Sequence, residues 1–111
     1  MGYLLYGRPA EEIDIDDRAL AHLKIVMLTK LRRGETFAFS FQYDVNDGSG
    51  RSTIWLHPAI PLQFKFLGSR QPTINRAWLE ELVLAANSVD GLRILPEPEA
   101  STTPVSPAPL P

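Results

Sequence analysis

The sequence predicts an α+β domain in which a mainly antiparallel sheet, built in the order ββαβββαβ, carries two helices on one face. Three observations lead there. The apolar period switches along the chain between two and three-to-four residues. Connections between the period-two segments are too short for parallel crossovers. Both segments of helical period are bounded by capping residues. A chain of 111 residues is close to the commonest domain size and buries one core, not two. One unit is therefore expected over residues 1–95, followed by a disordered proline-rich tail over residues 96–111.

The first two elements are short. Tyr3 to Tyr6 is an apolar run between Gly2 and Gly7, and Glu12-Ile13-Asp14-Ile15 alternates, so the two form a hairpin across Gly7 to Ala10. A helix follows, with Asp16 or Asp17 as its cap and Leu20, Leu23, Met27, Leu28 and Leu31 on one stripe. Lys30, Arg32 and Arg33 precede Gly34, which suits the negative end of the helix dipole.

From Thr36 to Tyr43 the period is two. Phe37, Phe39, Phe41 and Tyr43 point to one side, and Thr36, Ala38, Ser40 and Gln42 to the other. The turn region Asp44 to Arg51 leads to a strand over Ser52 to His57, and Pro58 to Pro61 links that to an alternating Leu62 to Leu67, as in a meander. Asn75 caps the second helix, with Ile74 and Leu79 placed as a hydrophobic staple and Trp78, Leu82, Val83 and Ala86 as its stripe. Asp90-Gly91 ends it, and Leu92 to Leu95 adds a short edge strand. The tail from Pro96 holds six prolines and only Val105 and Leu110 as sizeable apolar residues, too few to offset the entropy of ordering. Its Pro104 to Pro107 spacing matches a P-x-x-P ligand, as any proline-rich tail will by chance.

Composition narrows the function classes. The absence of cysteine removes thiolate ligands, cysteine nucleophiles and disulfides together and fits a reducing compartment. No apolar run nears the roughly 20 residues of a membrane span, and no secretory signal is recognisable. The expected location is cytoplasmic, with no membrane association. Residues 1–96 hold eleven basic and eleven acidic groups, so any phosphate-binding surface must be a local patch.

No segment carries a catalytic, metal or cofactor signature. Asp44 to Arg51 begins like a calcium loop, but Gly48 is one position early and Trp55 stands where a bidentate glutamate belongs. It also lacks the Gly-Lys-Ser/Thr ending of a phosphate loop. His22 and His57 have no partner at a metal-ligand spacing. The acidic run Glu11, Glu12, Asp14, Asp16 and Asp17 reads as a solvated strand face and a helix cap.

Two features remain as binding candidates. If Ile54 and Leu56 face the core, then Thr53, Trp55 and His57 lie on the open side of the sheet, near Gln63 and Lys65 of the next strand. An exposed tryptophan on a polar sheet is a binding anchor, because aromatic residues are enriched at interfaces and stack on bases. The opposite register buries Trp55 and turns Ile54 outward. The second candidate is a basic patch of Lys30, Arg32, Arg33, Arg51, Arg70 and Arg76, whose guanidinium forks suit phosphate; the same residues also fit helix capping and solvated loops.

Several segments resemble a family of short actinobacterial proteins of unknown function: Met1-Gly2 with Leu4 and Tyr6-Gly7; Ile15-Asp16-Asp17-Arg18 with Leu20-Ala21-His22-Leu23; Lys30 to Glu35; Trp55-Leu56-His57-Pro58; Gly68-Ser69-Arg70; and Asn75-Arg76-Ala77-Trp78. The similarity covers residues 1 to about 98. Some of those proteins are labelled ATP-dependent DNA ligase, a label the residues here do not support. Such ligases need a lysine nucleophile in Lys-x-Asp-Gly, and this chain has Val45-Asn46-Asp47-Gly48. The expected function is a non-catalytic binding module for a protein partner or a second copy, with no cofactor. The alternative is a nucleic-acid-binding or repair-associated accessory protein.

Overall fold

The structure, a computed structural model, describes residues 2–42, 48 and 50–99. Tyr43, the residues Val45-Asn46-Asp47 of the glycine-bearing loop and the Pro104–Pro107 spacing lie outside the described residues. The element order is β1 (Gly2–Tyr6), β2 (Glu11–Ile15), α1 (Asp17–Arg32), β3 (Phe37–Gln42), β4 (Arg51–Leu56), β5 (Leu62–Phe66), α2 (Arg76–Ala86) and β6 (Leu92–Arg93). This is the expected α+β class and the expected order.

The strands divide between two three-stranded sheets, β2-β1-β5 and β4-β3-β6, and not the single sheet expected from the sequence. The difference lies in β5. Its alternation serves either sheet equally, and the prolines around residues 58–61 interrupt the chain after β4, so the strand leaves its sequence neighbour and pairs antiparallel with β1, Leu4 opposite Phe64. β6 takes the edge place beside β3 and runs parallel to it. Gly91 allows this approach: it has φ +81, and a Cβ there would stand 2.8 Å from the Ala38 carbonyl oxygen. The Tyr6 hydroxyl at the end of β1 donates to the Trp55 carbonyl of β4, which joins the two sheets at one end, while Gly7 N–H donates to Pro61 O at 3.0 Å and extends the β1–β5 pairing.

The helices form the second layer. α1 packs on β1 and β5, α2 on β3 and β6, and each packs on the other. They lie parallel: the amide of Asn75, the cap of α2, bonds His22 in the first turns of α1, and Lys30 near the end of α1 reaches Asn87 at the end of α2. One continuous core fills the space between layers, from Leu4, Ile13 and Ile15 through Leu20, Leu23 and Met27 to Phe37, Phe39, Phe41, Trp78, Leu82 and Leu92. On α2 the buried stripe is Trp78, Leu82 and Ala86, while Val83 lies outside it. Asp16 is the cap of α1, accepting from the amides of Arg18 and Ala19. Among the described residues no helix is long and apolar enough to cross a membrane.

Candidate functional site

The outer side of the β4-β3-β6 sheet follows from the two-residue period of β3. Phe37, Phe39 and Phe41 are buried against the helices, so Ala38, Ser40 and Gln42 face away. Antiparallel pairing sets Trp55 opposite Ala38, Thr53 opposite Ser40 and Arg51 opposite Gln42, and the parallel pairing on the other side sets Arg93 beside Ser40. Leu56 is buried and Ile54 packs against the core, which decides the register: the Trp55 side chain stands on the outer side, 56% exposed. The Ser40 and Thr53 hydroxyls bond each other at 2.7 Å. Arg51 and Arg93 are the only charged residues in these three strands, and neither guanidinium has an ion pair or hydrogen bond among the described residues.

The five residues expected to form one open face do not all share it. Thr53 and Trp55 do. His57 lies just beyond β4, exposed, with its Nδ1 accepting from the Ala59 amide at 3.0 Å. Gln63 and Lys65 are exposed on β5 and so belong to the other sheet, cross-strand from Leu5 and Tyr3, which in turn oppose Glu12 and Asp14. The strands of that sheet carry Glu11, Glu12 and Asp14 against the single base Lys65. The two sheets thus have opposite charge, a difference that the near-neutral composition conceals.

The six residues of the basic patch are dispersed. Lys30, Arg32 and Arg33 close the C-terminal end of α1, whereas Arg70 and Arg76 lie before and at the start of α2. Because the helices are parallel, these groups are separated by about the length of α2, roughly 16 Å. Lys30 is also engaged: it pairs with Glu35 at 2.9 Å, donates to Asn87 Oδ1 at 2.6 Å and lies over the Phe37 ring. Arg51 alone of the six shares a face with Trp55.

Among the described residues, no three His, Asp or Glu side chains gather closely enough to hold a metal ion. A family model matches residues 1–97, and its description is Domain of unknown function (DUF7882). The chain belongs to this DUF7882 family. Comparison with curated proteins and with solved structures finds no match.

The DUF7882 match ends at residue 97, and Glu97 is the centre of a polar cluster with no signature in the sequence. The Arg18 guanidinium grips its carboxylate with Nε at 2.7 Å and Nη2 at 2.6 Å, while Nη1 donates to Thr73 O at 2.8 Å. Asn75 caps α2 with its side-chain oxygen and turns its Nδ2 to Glu97 Oε2 and Pro98 O at 2.9 and 3.0 Å. Trp78 Nε1 donates to Leu95 O. Specific contacts therefore extend to Pro98, beyond the boundary expected at residue 95. Beneath the cluster His22 is wholly buried. Its Nε2 accepts from the Asn75 amide at 2.8 Å, so its Nδ1 carries the proton and donates to Arg18 O, also at 2.8 Å.

The Arg18 guanidinium, assisted by the Asn75 amide, holds the Glu97 carboxyl at about 2, below its ordinary 4.5. A folded-state pKa below the unfolded one contributes stability that is fully present above the unfolded value and is lost as pH falls through the folded one. Glu97→Gln is accordingly expected to be less stable than the parent at neutral pH, with the difference shrinking between pH 5 and pH 2. Urea midpoints across that range, at low salt, measure it. A difference that stays constant with pH would show that the charge of Glu97 is not its source.

Proposed function

We propose that the domain is a non-catalytic binding module whose ligand seats on the outer side of the β4-β3-β6 sheet, around Trp55 and Thr53. The observation that carries this reading is the exposed indole on edge strand β4, on the polar face of a sheet whose other side is packed with phenyl rings. A large aromatic surface left in water costs stability and gains it back when covered, which is why tryptophan recurs at binding hot spots.

The arrangement of the titratable groups supports a role without catalysis. Both ring nitrogens of His22 are bonded to backbone groups. One hollow, about 450 Å³ between the end of α1 and the turn after β4, has His57 and Arg32 as its titratable residues, and another of about 420 Å³ beside the β5–α2 loop has Lys24 and Arg70. Neither is lined by a carboxylate. A cysteine-free domain also suits a reducing compartment, and a cytoplasmic location is part of the proposal. The second reading, a nucleic-acid or ligase-associated accessory role through six dispersed basic residues, keeps one supporting observation, the place of Arg51 on the same sheet face as Trp55.

Capture experiments with the full chain as bait test the site. Trp55→Ala is expected to abolish recovery of the bound fraction, protein and nucleic acid together, from a cell extract, while Lys65→Ala on the other sheet leaves it unchanged and both variants keep the parent circular dichroism. Full capture by Trp55→Ala would refute this reading.

A further inference from the structure

We infer that the ligand of this face is single-stranded nucleic acid, with a base stacked on the Trp55 indole and its phosphates held by Arg51 and Arg93. The inference rests on the reading just proposed and names the ligand class of the same site.

Space is the first ground. The residue opposite Trp55 is the half-buried Ala38, and Gly91, the next position across the sheet, is itself buried against Ala38. Across the strand pair the exposed indole therefore faces a methyl group and no larger side chain. A flat ring can lie there against the indole, and base-on-aromatic stacking accepts any base because every base has a π-face.

Charge is the second ground. Arg51 and Arg93 are guanidinium groups without a counter-charge among the described residues, on strands that carry no carboxylate. An acidic polymer is directed to this sheet and repelled from the other, whose strands carry three carboxylates and one base. Strand geometry then sets the scale. Arg51 is four residues from Trp55 along β4, and Arg93 stands two strands across and one residue pair along, so the three positions form a triangle with sides of about 12–13 Å. Arginine side chains reaching inward bring both forks to the backbone of a strand a few nucleotides long.

The same features limit specificity. The Ser40 and Thr53 hydroxyls are turned to each other, which leaves stacking and phosphate contact to dominate over base-edge readout. A duplex hides its base faces within the stack, so the face selects single strands.

The test is a titration of the full chain with a short oligothymidylate at low salt, followed by amide and indole NMR signals. The Trp55 indole signal is expected to shift and that of buried Trp78 to stay in place. The slope of log K against log salt should be about −1.4, two phosphate contacts at about 0.7 each. Arg51→Gln and Arg93→Gln should each halve that slope, and Trp55→Ala should weaken binding about fivefold or more. Glu12→Gln, on the other sheet, should leave affinity within twofold. An unmoved Trp55 indole, unchanged affinity in Trp55→Ala, or equally tight binding of a duplex would each overturn the inference. If Trp55→Ala abolishes capture from extract but the oligonucleotide does not bind, the ligand is a protein and only the inference fails; if Trp55→Ala captures as the parent does, both readings fail.

Discussion

Replacing Phe39 with alanine is expected to destabilise the domain by about 3–5 kcal/mol. Phe39 is completely buried, lies in the central strand between Ile54 of β4 and Leu92 of β6, and stacks on Phe41 with ring centroids 5.7 Å apart. Truncation removes the transfer free energy of a phenyl ring and leaves a cavity that two flanking strands, held by their ladders, cannot close. Against a total stability of about 5–15 kcal/mol, this is roughly a fifth of the whole or more. The melting temperature should fall by about 4–8 °C for each kcal/mol. The informative comparison is Trp55→Ala in the neighbouring strand. Its side chain is the larger, yet it stands on the outer side, and its loss should cost under about 1 kcal/mol. Thermal melts of the two variants read the one-sidedness of the sheet directly. Equal losses would mean that the indole belongs to the interior and that the binding face has been misplaced.

The contrast between these two residues was largely legible in the sequence. The period of two through residues 37–42 separates the phenyl rings from Ala38, Ser40 and Gln42 with no ambiguity, because a one-residue slip would turn every ring into water. For β4 the same reasoning left two registers open: Ile54, Trp55 and Leu56 are three consecutive apolar residues, and alternation does not rank them. Pairing to β3 ranks them, through the buried Leu56 opposite Phe37. Arg93 was missed for a related reason. A strand of two residues has no period, and its parallel place beside β3 depends on Gly91 fitting against Ala38, a contact between positions 53 residues apart. The fate of β5 was equally non-local. Its alternation shows that one side is buried but not against which sheet, so Gln63 and Lys65 were grouped with Trp55 on the strength of sequence proximity alone. Glu97 was assigned to the tail because proline-rich composition reports how little a segment can bury; a carboxylate held by an arginine 79 positions away leaves no mark on composition.

His22 gives the sharpest test of the cluster that closes the other end of the fold. It lies one helical turn from Arg18, whose carbonyl it bonds, but its decisive partner is the amide of Asn75, which is itself buried. His22→Leu keeps most of the side-chain volume and removes the acceptor of that amide. A buried N–H left without a partner costs about 1–3 kcal/mol, and the ring contact with Trp78, at 4.6 Å between centroids, contributes about 0.5–1.5 kcal/mol more. The expected destabilisation is therefore on the order of 2–4 kcal/mol, read as a lower urea midpoint at unchanged m-value. His22→Gln, whose side-chain carbonyl can accept a hydrogen bond, should recover part of it. A local readout separates this mechanism from simple loss of packing. The Asn75 amide should lose its protection against hydrogen exchange in His22→Leu and regain some in His22→Gln, because that amide bonds the imidazole while the side chain of the same residue caps α2 and holds Glu97. If the two variants exchange alike at Asn75, the imidazole acts through its bulk and not as an acceptor. The route from a buried histidine to the ordering of residues 95–98 would then have to run through Trp78, whose Nε1 holds the Leu95 carbonyl.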